Sequence, residues 1–149
     1  AVGVFGAFVA GQPAVIEMLI QFARTYGYTT AMPSALAYAV MQSLTLLEQE
    51  EWRREKLARL ITLLKSHYQS SRWSLLPSLT PIQPLLIGES NTAIQLSEIL
   101  RREGILIPAI RPPTVPVGQA RLRISLSASH REEEIIQLAE TLQRAERMI

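Results

Sequence analysis

The first third of the chain combines a short apolar run with a helical stripe. Residues 4–10 are almost entirely apolar and lie between two glycines, which predicts a short buried strand. Beyond Pro13, apolar side chains recur three and four residues apart, the spacing of one helical face. This helix is expected to end at Gly27. The segment before Pro33 is expected to be a turn or an extended segment, because a residue that precedes proline avoids the helical region.

Two more helices are predicted before the middle of the chain. Residues 34–47 are apolar on most sides, which indicates a helix buried in a core or an interface. The uncharged stretch of residues 25–47 is long enough to suggest a membrane span. Gly27 and Pro33 interrupt it, so a turn followed by a buried helix is expected instead. The next helix has charges on one face and an apolar stripe on the other, formed by Leu57, Leu60, Ile61, Leu64 and Tyr68.

A loop with two prolines, Pro77 and Pro81, is expected to separate two units, residues 1–76 and residues 77–149. The second unit is predicted to be a small α+β domain with the order β-α-β-β-α, three strands and its helices on one face.

Local signals place the elements of this second unit. Residues 82–88 predict a strand at a sheet edge, because Pro84 cannot donate a backbone hydrogen bond. The following helix is expected to be capped by Ser90 or Asn91 and to stop at Gly104. The remaining elements are short strands within residues 105–110 and 120–127, and a last helix that a Ser129–Glu132 capping box begins and that ends near Arg147.

Composition excludes several functional classes. Apolar residues make up 48% of the 149 residues, and the net charge is only +2, with the basic residues spread along the chain. A disordered chain and a nucleic-acid-binding patch are therefore not expected. The chain has no cysteine, and its two histidines, His67 and His130, lie far apart. Disulfides and thiol nucleophiles are excluded, and no metal site is expected.

The segment of residues 110–125 is the main candidate for chemistry, because it places arginines around a proline-rich loop. Alternation with period two puts Arg121 and Arg123 on the same face of a strand. Both side chains can simply belong to a polar outer face. Alternatively, Arg123 can bind a carboxylate through both of its guanidinium nitrogens, with Thr114 brought to the same place by the loop.

Two other pairs of polar residues are candidates for a function. Thr29 and Thr30 are adjacent hydroxyl residues that either cap a helix or bind a phosphate oxygen. Lys56 and Lys65 are the only lysines, and both are expected on the charged, solvated face of their helix.

Four segments resemble the C-terminal portion of the α-oxoamine synthases, which are pyridoxal-phosphate (PLP) enzymes of the aspartate aminotransferase fold, fold type I. They are "AVGVFGAFVAG", "QFARTYGYTTAMP", "PIQPLLIG" and "IRPPTVPVGQARLRISLSASH". The resemblance covers essentially the whole chain. The last segment is the most specific, and it favours the biotin-pathway member over the members that use glycine or serine.

The resemblance implies a reaction and a set of partners. The implied reaction is the decarboxylative condensation of L-alanine with pimeloyl-CoA or pimeloyl-acyl carrier protein, with PLP as cofactor. The implied protein is a cytoplasmic homodimer that binds neither nucleic acid nor membrane. Two alternatives remain: a sister enzyme of the glycine C-acetyltransferase or 5-aminolevulinate synthase type, or a non-catalytic α+β binding module.

The resemblance also implies roles for individual residues. Arg123 matches the arginine that holds the substrate carboxylate, and Thr114 matches a substrate-binding threonine. Thr29 or Thr30 matches a hydroxyl that reaches the cofactor phosphate of the neighbouring subunit. The family's PLP-binding lysine matches the position directly before Ala1, so no catalytic residue is expected within these 149 residues.

The position of that lysine leads to further expectations. Residues 1–76 are expected to be the end of the large PLP domain with its connecting helices. The 149 residues alone are expected to be inactive, with exposed apolar surface around residues 4–10 and 32–47.

Overall fold

The computed structural model describes residues 3–70 and 72–149, and the chain divides into two compact units, Ala1–Glu51 and Trp52–Ile149. The second unit therefore begins well before the expected position between residues 76 and 77. The reason is that helix α4 (Trp52–His67) packs against helix α6 (Glu132–Glu146) and contributes to the core of the second unit. A boundary placed from loop composition does not detect this packing.

The first unit is helical. It contains α1 (Pro13–Phe22), α2 (Arg24–Gly27) and α3 (Ser34–Gln49). The single helix that was expected to end at Gly27 is two helices, because Ala23 adopts extended backbone angles, φ −76° and ψ 102°. None of the helices within residues 3–70 and 72–149 has both the length and the apolar character needed to cross a bilayer.

The strand expected at residues 4–10 is not formed, and this prediction is wrong for the described chain. The segment has no regular structure, and Phe5, Phe8 and Val9 are exposed. A strand needs a neighbouring strand to satisfy its backbone hydrogen bonds. Among the described residues, none pairs with this segment.

Helix α3 has no buried residue, so it is not the core helix that its apolar pattern allowed. Its exposed apolar side chains include Tyr38, Met41, Leu44 and Leu46. Together with residues 4–10, they confirm the expected exposed apolar surface. Of the two expectations for α3, a place in a core or in an interface, the interface is the one that fits these exposed apolar side chains.

The second unit contains a four-stranded antiparallel sheet with the strand order β1-β2-β4-β3. The strands are β1 (Ser74–Leu75), β2 (Ile82–Gly88), β3 (Ala109–Ile110) and β4 (Ala120–Ser125). Three of them were predicted from the sequence. The fourth, β1, is a two-residue strand inside the predicted loop, too short to produce an alternating pattern.

Strand β2 is internal, so the prediction that Pro84 marks a sheet edge is wrong. The Pro84 carbonyl accepts a hydrogen bond from the Leu76 N–H at 2.8 Å, on the side of β1. On the other side Pro84 lies opposite Arg123, whose own N–H donates to Pro108 O at 3.0 Å, towards β3. This pair exchanges no backbone hydrogen bond, so the pairing with β4 loses none to Pro84, and the missing N–H faces the side of β1, just past its last residue, Leu75.

Helices lie on one face of the sheet, as predicted. Helix α5 (Ser90–Arg102) contacts β2, β3 and β4, and α6 contacts both α4 and α5. Most of the predicted α4 stripe is buried, namely Leu60, Ile61, Leu64 and Tyr68. The largest fully buried apolar side chains of the unit are Leu60, Leu64, Leu85, Leu96, Leu100, Leu122, Ile124 and Leu142. This core holds β4 in place, and the arginines of β4 lie on the opposite face of the sheet.

Both predicted helix caps are wrong, and in each case a glutamate carboxylate accepts a backbone N–H at the start of the helix. Glu89 is the N-cap residue directly before α5, and its carboxylate accepts a hydrogen bond from the Thr92 N–H at 2.7 Å. At the start of α6, the Glu134 carboxylate accepts from the Arg131 N–H at 2.9 Å. A carboxylate suits these positions because helix N-termini present unpaired N–H groups. The predicted stop of α5 is confirmed, since Gly104 has a φ of 79°.

Replacing Glu89 with Ala should destabilise the second unit at neutral pH and have much less effect in acid. The hydrogen bond from the Thr92 N–H lowers the pKa of Glu89 below its ordinary value of 4.5. The stabilisation is thus present above the unfolded-state pKa and is lost as the pH falls through the lower folded-state pKa. Urea unfolding at about pH 7 and about pH 3 measures this difference. Glu98→Ala, an exposed position on the same helix, is the control. An equal effect of Glu89→Ala at both pH values would contradict the capping role.

Candidate functional site

The open face of the sheet carries the two candidate arginines of β4. The side chains of Leu122 and Ile124 are buried beneath the helices, whereas Arg121 is half-buried and Arg123 is exposed. The predicted alternation along β4 is therefore present. Across the sheet, Arg123 lies opposite Pro84, while Arg121 lies between Leu86 of β2 and Ile110 of β3.

The two guanidinium groups differ in their partners. Arg121 donates from Nε to the backbone oxygen of Gln119 at 3.0 Å and from Nη2 to the Gln119 Oε1 at 3.0 Å. Arg123 makes no side-chain hydrogen bond and no ion pair with any residue in the described ranges 3–70 and 72–149. Arg123 is consequently the arginine of this strand that is available to bind an anion.

Thr114 lies in the loop that joins β3 to β4, at the end of the sheet where β4 begins. Its N–H donates to the Arg111 carbonyl at 3.0 Å, which closes a tight turn that contains the cis peptide bond between Pro112 and Pro113. The side chain of Thr114 is exposed. The structure thus places Thr114 and Arg123 in one β-hairpin.

Thr29 and Thr30 belong to the first unit. As with the two arginines, one side chain is hydrogen-bonded and the other is not. The Thr29 hydroxyl donates to the backbone oxygen of Thr25, so it is engaged at the end of α2. The Thr30 hydroxyl has no hydrogen-bond partner among the residues that the structure describes. Both side chains are exposed, and Thr30 is the one free to bind a phosphate oxygen.

Each of the two lysines is held by a backbone carbonyl. The ammonium of Lys56 donates to the Ala128 carbonyl and that of Lys65 to the Ser78 carbonyl, both at 2.8 Å. Lys65 is exposed as predicted, whereas Lys56 is half-buried. Within the described part of the chain, no group of three metal-ligating side chains lies close enough together to hold an ion.

The acidic and phenolic groups with altered pKa values belong to other elements. Burial raises the pKa of Tyr68, which follows α4. Backbone hydrogen bonds lower the pKa of Glu89 and of Glu134, at the starts of α5 and α6. The β3–β4 hairpin, residues 109–125, contains no Asp, Glu, His or Lys, so it offers binding through fixed positive charge and a hydroxyl.

Sequence reasoning missed one residue of this hairpin, Gln119. It lies two positions before Arg121, and that spacing is the only sequence signal that could have indicated it, because residues i and i+2 share a face of an extended segment. Its contacts with the Arg121 guanidinium decide which arginine is free.

Residues 1–142 match the model of the aminotransferase class I and II family, and the chain belongs to this family. It is 58% identical over 142 residues to an 8-amino-7-oxononanoate synthase of Nitrosomonas europaea, covering 95% of this chain and 37% of that protein. A synthase of the same name from Pseudomonas syringae is 52% identical over 141 residues, covering 95% of this chain and 36% of the relative. The chain thus spans little more than a third of the length of these curated relatives.

Solved structures show the same fold. An 8-amino-7-oxononanoate synthase from Francisella tularensis superposes with a TM-score of 0.77 at 32% identity, covering 92% of this chain and 40% of that one. A serine palmitoyltransferase from S. paucimobilis with a bound PLP–myriocin aldimine gives a TM-score of 0.86 at 24% identity, covering 99% and 37%. The resemblance and the fold class inferred from the sequence are confirmed.

Proposed function

We propose that the complete protein is a PLP-dependent 8-amino-7-oxononanoate synthase, which condenses L-alanine with a pimeloyl thioester and releases carbon dioxide. The observation that carries this proposal is the unpaired Arg123 guanidinium on the open face of the sheet. It lies in a chain that is 52–58% identical to synthases of that name. The exposed apolar side chains of the first unit support a homodimer in which that surface is covered.

In this proposal the β3–β4 hairpin binds and orients the amino acid. Arg123 holds the alanine carboxylate through two parallel N–H···O hydrogen bonds, which fix the direction of the bond that breaks. The exposed Thr114 hydroxyl lies in the loop of the same hairpin and supplies one further hydrogen bond. These residues bind the ground state, and the carboxylate they hold leaves as carbon dioxide.

The described residues suit the phosphate group of PLP, but they do not suit its covalent link to a lysine. A free threonine hydroxyl at Thr30 suits a phosphate oxygen. Lys56 and Lys65 do not suit a covalent link to PLP, because each ammonium is held by a backbone carbonyl within the second unit. When bound, PLP supplies the electron sink for the carbanion that decarboxylation leaves. The lysine that binds it is proposed to lie before Ala1.

A substrate panel on the purified full-length protein tests the proposal. Product formation is followed by mass spectrometry with L-alanine, glycine or L-serine, each combined with pimeloyl-CoA, acetyl-CoA or succinyl-CoA. We expect turnover with L-alanine and pimeloyl-CoA, and a further reaction with pimeloyl-acyl carrier protein identifies the preferred thioester. Faster turnover of glycine with acetyl-CoA or succinyl-CoA would instead identify a sister synthase. No turnover of any pair would favour a binding module.

Replacing Thr30 with Ala should weaken PLP binding by about tenfold, the effect of losing one hydrogen bond to a charged phosphate group. Thr29→Ala is the matched control and should have a smaller effect, because the Thr29 hydroxyl is already engaged by the Thr25 carbonyl. Titrating PLP into the full-length apoprotein and following its visible absorption measures both dissociation constants. A larger loss for Thr29→Ala would assign the phosphate contact to the other hydroxyl.

A further inference from the structure

Two guanidinium groups on one strand face could bind a ligand with one carboxylate group or a ligand with two. Arg121 and Arg123 are two residues apart, so their backbones are separated by about 7 Å along β4. Both side chains are long enough to reach a common anion. If both were free, they would form a paired cationic site that suits two carboxylate groups rather than one.

Gln119 prevents this pairing by binding one of the two groups. Its backbone oxygen and its side-chain Oε1 accept from Nε and Nη2 of Arg121, both at 3.0 Å. Two contacts on one planar guanidinium fix both its position and its orientation. Arg121 lies opposite Leu86 and Ile110 of the neighbouring strands, and its side chain is half-buried.

We propose that Gln119 is a positioning residue that turns the Arg121 guanidinium towards the β3–β4 loop and leaves Arg123 as the single arginine ligand of the substrate carboxylate. The inference rests on the proposed function, since it assumes that Arg123 binds the carboxylate of an amino acid. Arg121 then contributes positive potential at the site without becoming a ligand. The hairpin thereby favours a monocarboxylate such as L-alanine over dicarboxylates.

The test removes the side-chain contact of Arg121, leaves the contact with the Gln119 backbone oxygen, and asks whether the site gains affinity for a dicarboxylate. Gln119→Leu in the full-length protein keeps the approximate side-chain size and removes Oε1 as an acceptor. We expect succinate to bind about five- to tenfold more tightly, by calorimetry and as an inhibitor competitive with L-alanine, since a second charge-assisted hydrogen bond becomes available. The kcat should be unchanged and the KM for L-alanine should change by less than about twofold, because Arg123 is untouched.

A double variant and a second substitution complete the test. Gln119→Leu combined with Arg121→Ala should lose the gain in succinate affinity, which a merely structural effect of Gln119 would not explain. Gln119→Ala replaces Gln119→Leu if the leucine alters folding. Unchanged succinate affinity in the single variant, or a gain that persists in the double variant, would overturn the inference.

The kinetics of Arg123→Ala distinguish an error in the proposed function from an error in the role of Gln119. If Arg123→Ala leaves both the KM for L-alanine and the affinity for succinate unchanged, the carboxylate site itself is wrong. If Arg123→Ala impairs both and Gln119→Leu changes neither, only the role of Gln119 is wrong.

Discussion

Replacing Arg123 with Ala in the full-length protein should raise the KM for L-alanine by about 30-fold or more, because it removes a charge-assisted pair worth roughly 2–4 kcal/mol. The KM for the thioester should change far less, since Arg123 is proposed to contact only the amino acid. The carboxylate is present in the ground state and leaves during the reaction. The arginine should therefore act mainly on binding and orientation and less on stabilisation of the carbanion.

Two matched variants make this prediction specific. Arg123→Lys should recover only part of the loss, because an ammonium cannot form the bidentate fork. Arg121→Ala should be milder than Arg123→Ala, because Arg121 is already held by Gln119. Steady-state kinetics with each substrate varied in turn measure all three variants. An alanine KM within about twofold of wild type for Arg123→Ala, or a larger effect for Arg121→Ala, would contradict the assignment of the carboxylate ligand.

The periodic pattern of apolar residues within a single helix or strand predicted which face of that element is buried. The period-two alternation of β4 placed Leu122 and Arg123 on opposite faces, and the apolar stripe of α4 identified Leu60 and Leu64 as core residues. Both signals report which face of an element is buried, and burial depends mainly on apolar area. They required no knowledge of the neighbouring element.

Features that depend on a neighbour were not predicted. The edge position of Pro84 was inferred from its missing N–H, but that N–H faces the end of the two-residue strand β1, and the pair with Arg123 on the other side needs no hydrogen bond from Pro84. The strand expected at residues 4–10 requires a pairing partner that none of the described residues provides. Sequence alone therefore predicts an element more reliably than the place of that element in a sheet.

The same limit applies to the candidate site. The sequence placed Arg121 and Arg123 on one face, and the resemblance selected Arg123, but neither indicated why Arg121 is not a second ligand. The answer lies in the two contacts with Gln119, a short-range arrangement of side chains that alternation does not encode. Likewise, the adjacent hydroxyls of Thr29 and Thr30 were equivalent in sequence, and only the contact with Thr25 distinguishes them.

Replacing Leu122 with Ala should lower the free energy of unfolding of the second unit by about 2–5 kcal/mol, the range for a fully buried leucine that leaves a cavity. Leu122 is 0% exposed and lies in the middle of the sheet, opposite Leu85 of β2 and Ala109 of β3. Because Leu122 directly precedes Arg123, the same packing fixes the direction of the proposed carboxylate ligand. A loss of core packing should therefore also loosen the site.

Urea unfolding of the 149-residue chain measures this loss. A Trp52→Phe background leaves the buried Trp73 as the fluorescent reporter of the second unit. Leu106→Ala is the matched control, since Leu106 is 83% exposed and should change stability by less than about 0.5 kcal/mol. The midpoint should shift for Leu122→Ala while the denaturant slope stays the same. A loss below about 1 kcal/mol for Leu122→Ala, or one equal to that of Leu106→Ala, would show that β4 is not anchored through this face.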